Sequence, residues 1–274
     1  MLRITRSTLS FGAAVAATLA SGVATASAAK VAVANHSLVY TGVGTETNDV
    51  RLARHGGDLV IRDLAATFVP GAGCARVTGH KATCAGAGVV AFRAALGRGD
   101  DRTVIENLVR LPAIVVRAGP GADTLASVIA HAAFYGGGGR DRLLGGPRSD
   151  VLQGKRGADF IRGRGGADSI KGGRGNDLIV SGPGDDRSSG GGGDDRVYGS
   201  RGDDVLRGGP GDDILADFSG WDRLYGETGE DYLNTFELVP DGRPGDFQNA
   251  SAGPDYGCRA SPDDVLVGCD ENAK

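Results

Sequence analysis

From Gly136 to Asn234 the apolar residues keep a period of nine. Leu143, Leu152, Ile161, Ile170, Ile179, Val197, Leu206, Leu215, Leu224 and Leu233 stand nine or eighteen apart, and Ser188 is the one interruption. Aligned on GGRGNDLIV (172–180), this span is eleven nonads without insertion or deletion. The register continues back through SVIAHAAFY (127–135) to AGPGADTLA (118–126), giving thirteen nonads over 117 residues. Position eight is the apolar column, position four is Gly except at Ala130 and Arg148, and position six is Asp except at Ala132. Nine residues are too few for a helical repeat that buries a face, and this much glycine disfavours helix. They suffice for a glycine-rich turn of about six residues and a strand of about three. Position eight then points to one side of the strand and positions seven and nine to the other. Stacked in parallel, two nonads per coil and about 4.8 Å per coil, the block predicts some six coils in a rod about 30 Å long.

Such a core is thin. One aliphatic side chain per nine ordered residues does not offset the entropy of ordering them, so the turns need another source of cohesion. Same-edge turns recur every eighteen residues, which lines up Asp159, Asp177 and Asp195 on one edge and Asp168, Asp186 and Asp204 on the other. Residues 118–234 hold 19 acidic and 14 basic residues, a net of −5. Carboxylates stacked this closely repel unless a cation lies between them. Calcium takes six to eight oxygens in flexible geometry, and a glycine-rich turn exposes its carbonyls. The pattern therefore predicts ions held between successive same-edge turns, each by two carboxylates and several carbonyls. A disordered Gly/Asp segment has no reason to keep an apolar residue at a fixed ninth position.

The block resembles G-G-x-G-x-D-x-U-x, the hemolysin-type (RTX) calcium-binding nonapeptide. The resemblance implies an all-β fold, a right-handed parallel β-roll. It also implies Ca2+ bound by the position-six carboxylates Asp123, Asp141, Asp150, Asp159, Asp168, Asp177, Asp186, Asp195, Asp204, Asp213, Asp222 and Asp231 with carbonyls of the first four turn residues. Asp177 would share ions with Asp159 and Asp195. Four departures mark weak places: Ala132 lacks the carboxylate, Arg148 the glycine, Ser188 the aliphatic residue, and Asp217-Phe218-Ser219 replaces the usual start.

The flanks change the picture in a different way. Residues 1–28 read as a signal peptide, with Arg3 and Arg6, an apolar run from Phe11 to Ala20, and Ala26-Ser27-Ala28 as the cleavage form. The run is too short to span a bilayer, so the chain is expected to be exported and not membrane-spanning. Residues 29–117 show short alternating runs that predict strands, with a worn repeat turn at Gly97–Asp101; residues 235–274 form the other flank. Cys74 and Cys84, ten apart, and Cys258 and Cys269, eleven apart, predict two local disulfides that pin caps on the rod. Aromatic residues are only 5% and the net charge is −4, so nothing in the balance points to nucleic acid. No H-E-x-x-H or G-x-S-x-G string occurs, and His36, His55, His80 and His131 are scattered. The expectation is a secreted, non-enzymatic calcium-binding roll. The alternatives are an adhesion module that binds a cell wall or polysaccharide surface, and a polysaccharide-modifying enzyme on a β-solenoid.

Overall fold

The computed structural model describes residues 28–42, 47–106, 111–128 and 131–235, with the backbones of two further strands, Phe247–Asn249 and Val265–Val267. The described residues form strands and turns without helix, arranged in a 13-stranded and a 12-stranded sheet. The signal segment (all but its last residue), Cys258 and Cys269 lie outside the described residues.

Successive nonads alternate between the two sheets, and strands eighteen residues apart pair in parallel. Ile161 aligns with Ile179 on one sheet and Ile170 with Ser188 on the other. The register matches because every nonad is complete, so each position-eight side chain stacks on its own kind. Leu125, Phe134, Leu143, Leu152, Ile161, Ile170, Ile179, Val197, Leu206, Leu215, Leu224 and Leu233 are all buried in one continuous file between the sheets.

Most strands are longer than the sequence pattern predicts, while Arg142–Leu144, Ile214–Ala216 and Tyr232–Asn234 keep the three residues expected. Ser169–Arg174, Leu178–Pro183, Arg187–Gly192 and Arg196–Arg201 span six residues each, whereas Phe160–Arg162 keeps three. Pairing does not stop at position nine: Gly173 aligns with Gly191, and the Gly175 N–H donates to the Gly192 carbonyl at 2.7 Å. The first three turn residues thus act as ladder, and the corner itself is confined to positions four to six.

Parallel stacking also begins upstream of residue 118. Ala91–Ala95 and Arg102–Ile105 pair with the first repeat strands, and Ser37–Thr41 and Asp49–His55 pair in parallel beneath them. The worn turn between the former two has Gly97 and Gly99 at φ 118° and 108°, as repeat glycines do. The N-terminal end carries antiparallel pairs, Ala29–Ala34 on Ser37–Thr41 and Asp58–Asp63 on Asp49–His55, and one sheet ends there on the short strand Phe68–Pro70. Cys74–Thr78 and Lys81–Cys84 add the outermost hairpin, tied by the Cys74–Cys84 disulfide. This end has a bulkier core, with Tyr40, Phe68 and Phe92 fully buried. At the other end, Phe247–Asn249 and then Val265–Val267 continue one sheet in parallel.

Candidate metal sites at the two turn edges

Each turn uses glycine for two separate reasons. Positions two and four take a left-handed backbone, as at Gly173 (φ 130°) and Gly175 (118°), where a side chain is strained. Lys155, Arg164, Ser200 and Glu227 hold the same left-handed position two (φ 86°, 82°, 143° and 76°) without being glycine. Position one needs space instead. A Cβ on Gly172 would overlap Asp177 Oδ2 and stand 2.5 Å from the Gly190 carbonyl oxygen of the next same-edge turn. A carboxylate oxygen and a carbonyl oxygen therefore converge where glycine leaves room.

The position-six aspartates form two ladders. On one edge the backbone N–H of Asp101 donates to Asp123 Oδ1, and Asp123, Asp141, Asp159, Asp177, Asp195 and Asp213 each donate to the next, ending on Asp231, at 2.7–2.9 Å. On the other edge Ala132 starts the series and Asp150, Asp168, Asp186 and Asp204 continue it to Asp222, at 2.6–2.8 Å. All twelve predicted aspartates thus stand in line, spaced eighteen apart.

One oxygen per carboxylate is accounted for; the other is not. Among the described residues, Oδ2 of Asp123, Asp141, Asp159, Asp168, Asp177, Asp186, Asp195, Asp204 and Asp213 is buried with no donor, on residues 1–3% exposed. A buried charged oxygen without a partner is among the costlier features a fold can carry. Burial accordingly pushes Asp123, Asp141, Asp177, Asp186 and Asp213 up to about 7, Asp168 to about 8, and Asp159 and Asp195 to about 6, against the ladder N–H that pulls each down. Neighbouring carboxylates raise most of them further, as Asp159 and Asp195 do for Asp177. The donor set is all oxygen, anionic, buried and stacked at fixed spacing. It fits a hard divalent cation such as calcium.

The departures fall into place physically. Ala132 and Arg148 occupy adjacent turns of one edge. There Asp150 differs from its fellows: its Oδ2 accepts the Gly146 N–H at 2.6 Å, so both of its oxygens are occupied. Beside it, Arg164 Nη1 donates to the carbonyls of Ser127 and Gly145, each at 2.9 Å. These are the position-one carbonyls of two successive turns, so a guanidinium supplies positive charge where the edge lacks a carboxylate. Ser188 is buried in the core file and shares a hydrogen bond with Ser181 Oγ at 2.7 Å, two departures that satisfy each other.

Sequence reasoning missed three residues. Asp101 caps one ladder: its Oδ1 accepts the Asn48 N–H and Nδ2 at 2.7 and 2.8 Å, and its buried Oδ2 has no donor. The worn turn at Gly97–Asp101 was the available signal. Asn48 stands at the next level down, where Tyr40 Oη lies 2.9 Å from its Oδ1 and 2.5 Å from Asp63 Oδ2, closing the ladder with hydrogen bonds. Asp217, at position one of its nonad, is fully buried.

Compared with protein families, the chain matches the RTX calcium-binding nonapeptide repeat in four copies, over residues 134–147, 144–179, 180–215 and 217–235. The matched part of the chain, wound as a parallel β-solenoid, is thus similar to RTX calcium-binding nonapeptide repeats. The comparison with curated proteins returns no match.

Proposed function

We propose that this is an exported, non-enzymatic calcium-binding β-roll whose turns are ordered by the ions they hold. The observation that carries the reading is the row of buried, donorless Oδ2 oxygens on both edges, most of them facing a position-one glycine. Asp123, Asp141, Asp159, Asp177, Asp195, Asp213 and Asp231 would hold ions on one edge, and Asp168, Asp186, Asp204 and Asp222 on the other, with position-one carbonyls such as that of Gly190. Asp150 contributes least, because Gly146 and Arg164 already serve its turn. Bound calcium supplies the positive charge that cancels the stacked carboxylates; binding free energy then becomes folding free energy. The matched repeat family supports the calcium identity. Export rests on the Arg3–Ala28 signal pattern. Among the described residues no helix is long and apolar enough to cross a membrane.

Calorimetric titration of calcium into the metal-free chain tests this, with circular dichroism alongside. The expected result is several ions per chain and a coil-to-β shift that a chelator reverses. Absence of binding heat together with an unchanged spectrum in chelator would refute it. A second reading, an adhesion module, is favoured by the aromatic residues on the outer sheet faces. There Arg142 stacks 4.5 Å from the Phe160 ring and Arg207 4.4 Å from the Tyr225 ring. Retention of the calcium-loaded protein on insoluble cell-wall polysaccharide would support it.

A further inference from the structure

Asp217 occupies the position that glycine holds in most nonads, and the sequence pattern marks this as a damaged repeat. The structure shows an addition instead. The side chain is fully buried, and its Oδ1 is fixed by the N–H groups of Ser200 (3.0 Å) and Phe218 (2.7 Å). Its Oδ2 is left without a donor, and so is Oδ2 of Asp204. Both point into the space left by Gly199, where a Cβ would overlap Asp217 Oδ2 and lie 2.6 Å from Asp204 Oδ2. The two ordinary position-six carboxylates of these neighbouring turns, Asp204 and Asp222, are linked by the Asp204 N–H to Asp222 Oδ1 bond at 2.8 Å. Asp204, Asp217 and Asp222 each bring an oxygen within 4.8 Å of the others, and all three are essentially unexposed. Among the described residues neither Asp204 nor Asp217 has an ion-pair partner.

We infer that Asp204, Asp217 and Asp222 form a three-carboxylate cation site, with Asp217 a direct ligand, and that it is the first of the array to fill. The other turn pairs offer at most two position-six carboxylates; this one adds Asp217 to make three in the same confined volume, and oxygen sites gain affinity with ligand charge. Its excess negative charge also favours a trivalent over a divalent hard ion. The inference rests on the calcium-ordered reading above and adds to it an order of filling.

Trp221, the one tryptophan of the chain, precedes Asp222 directly and provides a local reporter. Terbium(III) titrated into the full chain should give indole-sensitised emission, excited at the red edge where tyrosine is silent, that saturates before the β signal is complete. Asp217→Asn keeps an oxygen to accept the Ser200 and Phe218 N–H groups and removes the charge. It should shift that emission phase to weaker binding by at least the ~10- to 100-fold that even an outer-shell change costs a metal site. Calcium should still order the remaining turns. Asp217→Gly, which restores the repeat glycine, should do the same and decides the matter if the Asn variant fails to fold. An unshifted emission phase in a folded variant overturns the role of Asp217 while leaving the calcium roll intact. Wild-type protein that binds neither terbium nor calcium overturns both.

Discussion

At the scale of a residue, each repeat aspartate does two jobs with its two oxygens, and the jobs can be separated. Asp177 Oδ1 accepts the Asp159 N–H, and the Asp177 N–H in turn donates to Asp195 Oδ1, while the buried Oδ2 accepts from no donor among the described residues and is the proposed metal ligand. Asp177→Asn keeps an acceptor for the ladder and deletes the charge. Without calcium, above pH 7, it should unfold in urea no earlier than wild type, since the buried charge it removes is unfavourable there. In saturating calcium it should be less stable than wild type by about 1–3 kcal/mol. Calorimetry should show two ion positions weakened, because the residue lies between two turns. Arg164 gives the opposite signature. Its guanidinium holds the Ser127 and Gly145 carbonyls, so Arg164→Met leaves both without that donor and should cost about 1–3 kcal/mol. That loss should be the same in calcium and in chelator, because no ion is involved; a loss seen only in calcium would contradict the assignment.

At the scale of the element, the period of nine carried most of the architecture. Its consequences are forced: complete nonads keep register, position eight must face inward, and aspartates eighteen apart must align. The three-residue strand holds in four nonads and is too short for most, because glycines at positions one to three still offer N–H and C=O groups to a parallel neighbour, and side-chain patterning is blind to that. Position-two glycines were legible as turn residues, yet the position-one requirement is spatial and involves an aspartate five residues on. Compensations between departures were not legible either, because partners such as Ser181 and Ser188 face each other only after folding. That pair makes a test. Ser188→Ile alone leaves the Ser181 hydroxyl buried without its partner, which should cancel much of the gain from the added aliphatic surface. Ser181→Gly with Ser188→Ile restores the repeat at both positions and should stabilise the calcium-loaded roll by about 1–3 kcal/mol. The coupling is read from a double-mutant cycle of urea midpoints; additive effects would mean the hydroxyl pair has no energetic role.

At the scale of the whole molecule, protons and calcium compete for one set of oxygens, and this fixes how order depends on pH. Burial raises Asp123, Asp141, Asp159, Asp168, Asp177, Asp186, Asp195 and Asp213 from the ordinary 3.8 to about 6–8 in the folded, ion-free chain, and burial with the neighbouring Asp217 raises Asp204 to about 9. A folded pKa above the unfolded one means that the folded state binds more protons between the two values. Stability therefore falls as pH rises across that window. The contribution is complete below about pH 4, is eroded through pH 6–8, and is absent above it. Several aspartates titrate in the same direction, so the transition should be steep and cooperative along the stack. Calcium-free protein should accordingly show β-type circular dichroism near pH 4–5 and lose it by pH 8, while calcium at pH 8 restores the same spectrum. Acidifying the loaded protein should release ions without unfolding it, since each proton replaces the charge cancellation an ion gave. The N-terminal end should respond least, because Tyr40, Phe68 and Phe92 fill its core and Tyr40, Asn48 and Asp63 close its ladder with hydrogen bonds. Hydrogen exchange at pH 8 without calcium would then find protection concentrated before residue 106 and lost across 131–235. Uniform protection along the chain under those conditions would mean that the stacked carboxylates do not govern the fold.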